Sequence, residues 1–98
     1  MSRVNQSQPD HYSLEGCLSL ASLMQFREEA EREIPAERSV RIDLSGVEAQ
    51  GSAALALLVH LVRRARQAGG EVRFLNSPER LRLMAEMAGL SGLLALEG

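Results

Sequence analysis

The sequence predicts a single α/β domain with a mixed, mostly parallel β-sheet and helices packed against it. Two kinds of segment follow one another along the chain. In one kind, apolar and polar residues alternate, as in strands. In the other, apolar residues recur every three or four positions, as in helices. The connections between the later strands are long enough for helical crossovers, which implies parallel pairing. A length of 98 residues, 45% of them hydrophobic, suits one domain spanning 1–98 with one core.

The first part of the chain predicts a short hairpin followed by a helix. Residues 3–6 and 11–15 are typical of two strands, and the Ser-Gln-Pro-Asp run at 7–10 is a turn-rich connection between them. Gly16 is predicted to end the second strand. A helix then opens at residues 18–20 and is stopped by Pro35, and its predicted buried face carries Leu20, Leu23, Met24, Ala30 and Ile34.

The remaining elements alternate between strand and helix. Residues 39–44 predict a strand that buries Val40, Ile42 and Leu44, and residues 71–75 predict another. The most apolar helix of the chain runs from 53 to 67 and ends before Gly69-Gly70. A further helix is capped by Asn76 or Ser77, carries Pro78 in its first turn and ends at Gly89; its inward residues are Leu81, Met84, Ala85 and Ala88. Residues 93–96 form either a last strand or a short helix.

Composition excludes several classes of function. The net charge of -2 and the three scattered aromatic residues argue against nucleic-acid binding. The single cysteine, Cys17, excludes a disulfide framework within the chain and is interpreted as a small buried hydrophobe. The first ten residues lack the apolar stretch of a signal peptide, and the longest uncharged run, 49–61, is too short to cross a bilayer. We therefore expect a cytoplasmic protein with no direct membrane insertion.

The sequence offers no constellation of residues for catalysis. The two histidines, His11 and His60, have no paired spacing for metal ligands, so no metal site is predicted. The chain contains no lysine, which excludes a P-loop and with it autonomous nucleotide hydrolysis. We expect a protein that is not an enzyme and that needs no cofactor.

The segment from Asp43 to Leu58 is the most informative one. A strand ends in a polar loop that contains glycine, and the loop runs into a helix at Ser52, which is well placed as an N-cap. Projection of the helix at 100° per residue puts Leu55, Leu58, Val59, Leu61, Val62 and Ala65 on the arc that faces the sheet. The opposite arc carries Ser52, Ala53, Ala56, His60, Arg63, Arg64 and Gln67. Small residues followed by cationic ones favour a partner-binding face, and plain solvent exposure is the alternative.

These segments resemble the STAS domain family. The resemblance rests on the run 42–47 (Ile-Asp-Leu-Ser-Gly-Val), on Gly51-Ser52, and on the helix 55–61 (Leu-Ala-Leu-Leu-Val-His-Leu). Residues 14–18, Leu-Glu-Gly-Cys-Leu, are similar to the strand end that precedes the family's first helix. The similarity is greatest to the MlaB subfamily, the STAS subunits on the cytosolic side of Mla phospholipid transporters.

The resemblance implies a function and a site. A member of this subfamily would bind and stabilise or activate the MlaF-like ATPase subunit of an Mla-type ABC transporter, together with its membrane permease, in maintaining the lipid asymmetry of the outer membrane. Such a protein would be cytoplasmic and peripheral to the inner membrane. Ser52 would lie at the centre of the contact, and the other partner-binding residues would be Gly51, Ala53, Ala56, His60, Arg63 and Arg64.

The resemblance also implies an alternative. In the anti-sigma factor antagonist branch of the family, the position of Ser52 is a serine that a partner anti-sigma factor kinase phosphorylates. The family places Asp before this serine and Gly-Gly or Ser-Gly after it, whereas this chain has Gly51 before it and Ala53-Ala54 after it. Because a carboxylate beside the hydroxyl belongs to that phosphorylation site, the departure favours docking over phosphorylation of Ser52.

Overall fold

In the computed structural model, residues 3–98 are described, and they form a four-stranded sheet with helices. The strands are β1 (Arg3–Gln8), β2 (His11–Leu18), β3 (Ser39–Ala49) and β4 (Glu71–Leu75). The helices are α1 (Leu23–Glu33), α2 (Ala53–Ala68), α3 (Glu79–Met87) and the short α4 (Ser91–Leu94).

The strands follow one another across the sheet in chain order, from β1 to β4. β1 and β2 form the predicted antiparallel hairpin, while β2, β3 and β4 are mutually parallel. Each parallel connection passes through a helix, α1 between β2 and β3 and α2 between β3 and β4. The predicted α/β class with a mixed, mostly parallel sheet is therefore confirmed.

The helices cover one face of the sheet and the opposite face is open. In β3 the predicted inward residues Val40, Ile42 and Leu44 are at most 2% exposed, while Arg41 between them is exposed. Burial of each such side chain stabilises the fold by roughly 1.5–3 kcal/mol. The largest fully buried side chains are Phe26 of α1 and Phe74 of β4, so the core lies between the sheet and the helices.

The beginning of α1 differs from the prediction. β2 continues through Gly16 to Leu18, and a turn held by Ser22 separates it from the helix: the Ser22 hydroxyl accepts a bond from the Ser19 N–H at 3.0 Å and donates one to the Cys17 carbonyl at 2.8 Å. Because the helix begins after this turn, Phe26 and Ala30 set its buried face. Leu20 and Met24, predicted to be buried, are 82% and 57% exposed.

Other elements differ in smaller ways. β3 extends to Ala49 rather than to residue 44. Its register with β2 shifts by one residue between Ser13 and Glu15 of β2, so β3 has one extra residue there, at Ser45. The N-cap of α3 is Pro78; Ser77 is buried and its hydroxyl has no hydrogen-bond partner, so the predicted serine cap is wrong. Ala88, predicted to face inward, is exposed because α3 ends just before it. The last predicted segment contributes to helix α4 rather than to a strand.

Candidate partner-binding site

Ser52 lies at the carboxyl edge of the parallel strands. β3 ends at Ala49, and the N–H of Gln50 donates to the Leu18 carbonyl at 2.9 Å, which ties the end of β3 to the end of β2. Gly51 then turns the chain with a φ of +67°, a left-handed conformation that favours glycine. The turn brings Ser52 to the N-cap position of α2, at the surface.

The side chain of Ser52 does not cap the helix. Its φ of −88° and ψ of 0° place it at the N-cap, but its hydroxyl makes no capping hydrogen bond, so the predicted capping bond is absent. Its carbonyl accepts the N–H of Ala56 at 3.2 Å, which is the first bond of the helix. The exposed hydroxyl is therefore open to a bond with another molecule.

The predicted partner-facing arc of α2 divides in the structure. Of the arc residues, Ser52, Ala56, Arg63 and Gln67 are exposed, as is Gly51 before the helix, and Arg63 has no described hydrogen bond or ion pair. Ala53 is only 8% exposed and belongs to the core, so its predicted exposure is wrong. The reason is lateral packing: α2 contacts α1, α3 and α4 as well as the sheet, which buries a wider arc than a helix on a sheet alone would.

His60 and Arg64 are only partly exposed, and both contact α1. His60 Nε2 lies 2.7 Å from Glu31 Oε2. The Arg64 guanidinium donates to the carbonyls of Ile34 at 2.8 Å and Glu31 at 2.9 Å. Carbonyls in the last turn of a helix lack partners within the helix, and a cation there also interacts favourably with the helix dipole. These two predicted contact residues therefore fasten α2 to the end of α1.

The pair formed by His60 and Glu31 fixes how α1 and α2 lie side by side. Both helices follow parallel strands and run in the same direction, so one turn before this pair Ala56 lies level with Arg27. From the same alignment we infer that Ser52, one further turn back, lies near the start of α1, where Met24 is exposed. Leu20 precedes it at the same edge of the sheet.

We call the resulting area the Ser52 surface: Leu20, Met24, Gly51, Ser52 and Ala56, all exposed. It combines two large apolar side chains from the start of α1 with small residues from the start of α2. Sequence reasoning missed Leu20 and Met24, because their spacing of three and four residues is also that of a buried face. The signal against burial was Ser19 and Ser22, two residues that favour a turn.

A hydrogen-bond network joins the middle of β3 to the end of β4. Asp43 of β3 accepts the Ser45 N–H at 2.7 Å and the Asn76 side-chain amide at 2.9 Å, which joins β3 to the residue after β4. Burial acts to raise the pKa of Asp43, but the hydrogen bonds from Ser45 and Asn76 outweigh it and lower that pKa below its ordinary value. The carboxylate is therefore a structural anchor.

The contact between α1 and α2 gives a pH-dependent contribution to stability. The hydrogen bond from His60, assisted by Arg27, lowers the pKa of Glu31. A lowered pKa in the folded state means a contribution that is present above the ordinary carboxyl pKa of about 4.3 and lost as the pH falls through the lowered value. We expect the stability difference between wild type and Glu31→Gln to shrink between about pH 5 and pH 3.

Urea unfolding at a series of pH values measures this difference directly. Glu28→Gln is the matched control, because Glu28 is exposed on the same helix and has no described hydrogen bond or ion pair. Its difference from wild type should be small at every pH. A gap between wild type and Glu31→Gln that stays constant from pH 5 to pH 3 would contradict the assignment.

Within residues 3–98, no group of three or more His, Cys, Asp or Glu side chains is placed to hold a metal ion. No helix in this part of the chain is both long and apolar enough to cross a membrane.

Cys17 is half-buried, which is more exposed than predicted.

Among the solved structures that share this fold are anti-sigma factor antagonists. Unphosphorylated SpoIIAA matches 100% of this chain and 86% of its own, with 14% identity and a TM-score of 0.72. The phosphorylated form of the Bacillus cell fate determinant SpoIIAA matches 94% and 86%, with 14% identity and a TM-score of 0.67. A STAS domain antagonist from Rhodobacter sphaeroides matches 78% and 85%, with 23% identity and a TM-score of 0.60. Such low identities establish the fold alone.

No curated protein matches the chain. The family model described as MlaB, STAS domain matches residues 1–95, nearly the whole sequence. Proteins of the STAS family are generally non-catalytic, and they mediate protein–protein interactions. With its family model matched over this length and its fold shared with STAS structures, the chain belongs to the STAS domain family.

Proposed function

We propose that this protein is a non-catalytic, cytoplasmic STAS subunit that binds the ATPase of an Mla-type phospholipid ABC transporter and stabilises or activates it. Through the ATPase and its permease it would be held at the inner membrane. The observation that carries the proposal is the Ser52 surface, where an exposed hydroxyl without a capping bond and the exposed Leu20 and Met24 follow two strand ends that are hydrogen-bonded to each other. The match to the MlaB family model supports this choice of partner.

The physical character of the Ser52 surface suits a protein partner. Leu20 and Met24 offer apolar area whose burial favours association, at about 25 cal/mol per Å². Gly51 and Ala56 have little or no side chain, so a partner backbone can approach closely. Arg63 lies two turns along α2 from Ala56 and is exposed, as expected of a residue at the polar rim of an interface.

The second candidate function is that of an anti-sigma factor antagonist switched by phosphorylation of Ser52. The observation in its favour is the position of the Ser52 hydroxyl at a helix N-terminus, where a phosphate of charge about -1.5 to -2 would be stabilised by the helix dipole. Against it, Gly51 stands where that branch has an aspartate. Without that aspartate, the carboxylate that this branch places beside the phosphorylated hydroxyl is missing here.

Affinity capture of the tagged protein from its native host distinguishes the two functions. Partners and their stoichiometry, and the modification state of Ser52, are read by mass spectrometry. We expect an ABC ATPase with its permease, and unmodified Ser52. Recovery of a small anti-sigma factor kinase with phosphate on Ser52 would overturn the transporter assignment in favour of the switch.

A further inference from the structure

The open face of the sheet carries a row of basic side chains far from the Ser52 surface. The pairing of β2 with β3 sets His11 beside Arg41, and the pairing of β3 with β4 sets Arg41 beside Arg73. Register partners on neighbouring parallel strands, about 4.8 Å apart, point to the same face. This row lies near the amino ends of β3 and β4, on the opposite edge of the sheet from Ser52.

The row lines a cavity of about 440 Å³. The other residues that line the cavity are Pro9, Asp10, Ser39, Val40 and Glu71. A volume of this order is in the range of sites for small molecules. Donors are therefore concentrated in a concave part of an otherwise exposed surface.

Two of the charged side chains that line the cavity, Asp10 and Arg73, are already paired. Arg73 donates to both carboxylate oxygens of Glu97 at 3.0 Å, and Arg38 holds Asp10 with contacts of 2.9 and 3.1 Å. Arg41, in the middle of the row, has no hydrogen bond or ion pair from its side chain among the described residues. An anion bound beside Arg41 would supply the charged partner that its guanidinium lacks.

We propose that the row formed by His11, Arg41 and Arg73 binds the phosphate group of a small phosphate monoester. The guanidinium of Arg41 would make the principal contact, because its planar fork of N–H donors matches two phosphate oxygens. His11 would contact the same group from one side, and Arg73 would contact it from the other through Nη1, the guanidinium nitrogen that does not donate to Glu97. The cavity exceeds the size of a phosphate group and leaves room for the ester portion.

The negative charge of Glu71 opposes binding of this ligand, which provides a second test of the site. Glu71 lines the same cavity, and no ion pair to its side chain is described in residues 3–98. Its carboxylate repels a bound phosphate, so its removal should strengthen binding. The site therefore predicts effects of opposite sign for Arg41 and Glu71 and no effect for an arginine far from the cavity, whereas a general attraction to surface charge would respond to all of them alike.

Titration with methyl phosphate, and separately with inorganic phosphate, tests the site by amide NMR shifts at constant ionic strength and pH 7.5. We expect saturable shifts centred on residues 10–11, 39–41 and 71–73 with both compounds. Arg41→Gln should weaken binding about tenfold, because a charge-assisted pair is lost. Glu71→Gln should strengthen it about threefold. Arg32→Gln, at an exposed arginine of α1, is the matched control and should change nothing.

Several outcomes would overturn the proposal. The amide spectrum of Arg41→Gln shows whether this variant is folded. If the folded variant binds phosphate as tightly as wild type, Arg41 does not contribute to a phosphate site. An unchanged or weaker affinity in Glu71→Gln would contradict the cavity as the place of binding. Binding of inorganic phosphate without methyl phosphate would rule out a monoester. None of these outcomes depends on whether the transporter ATPase binds the Ser52 surface.

Discussion

Ser52→Arg is expected to weaken binding of the transporter ATPase at least about 100-fold while leaving the folded protein intact. Ser52 is exposed and its hydroxyl makes no capping bond, so the substitution removes no described interaction of the side chain. Its effect on the free energy of unfolding should therefore stay within about 0.5 kcal/mol. At the interface, a long cationic side chain would have to be buried without a partner or would hold the two proteins apart.

The measurement is the dissociation constant for the purified ATPase, with unfolding followed in parallel. Gln8→Arg is the matched control, because it adds the same side chain at an exposed position of β1, at the opposite end of the sheet. Ser52→Ala separates shape from hydrogen bonding: if the partner bonds the hydroxyl, this smaller change should still weaken binding by about tenfold or less. Unaltered binding by Ser52→Arg would remove Ser52 from the centre of the contact.

Features set by short stretches of sequence could be predicted. The alternation in β3 gave the correct inward residues, because side chains of a strand point to the two faces in turn. The end of α2 was also predictable, since Gly69 adopts a φ of +84° and its N–H bonds back to the last turn. The position of Ser52 at the start of α2 follows from the same local signals.

What could not be predicted depends on contacts between elements. The spacing of Leu20 and Met24 fits a helix, but the turn held by Ser22 moves the start of α1 past Leu20 and leaves Met24 on its exposed side. Likewise, a helical projection of α2 alone takes no account of α1, whose residues form hydrogen bonds with His60 and Arg64. The candidate site therefore gained two apolar residues and lost two polar ones once the helices were placed beside each other.

Gly70→Ala is expected to destabilise the fold by about 3 kcal/mol. Gly70 joins α2 to β4, and the chain there passes directly against the segment between α1 and β3. A Cβ on Gly70 would overlap the Ala36 carbonyl oxygen and would lie 2.6 Å from the Arg38 carbonyl oxygen and 2.9 Å from the Arg38 nitrogen. These are backbone atoms, and the Arg38 carbonyl also accepts the N–H of Glu71, so relief requires the strand to shift.

Two other glycines separate steric overlap from backbone conformation. Gly69→Ala has open space for its Cβ but a left-handed φ, and should cost about 1 kcal/mol. Gly92→Ala has open space and no left-handed φ, lies inside α4, and should be neutral or slightly stabilising. Urea unfolding of the three variants measures how far each lowers the free energy of unfolding. The unfolding temperature of Gly70→Ala should fall by roughly 12–24 °C. The effects expected of Gly69→Ala and Gly92→Ala are small, so they serve as references for Gly70→Ala. If Gly70→Ala were as stable as Gly92→Ala, residues 36–38 would be able to move away from Gly70. The close approach of Gly70 to these residues would then not fix the position of β4 against β3.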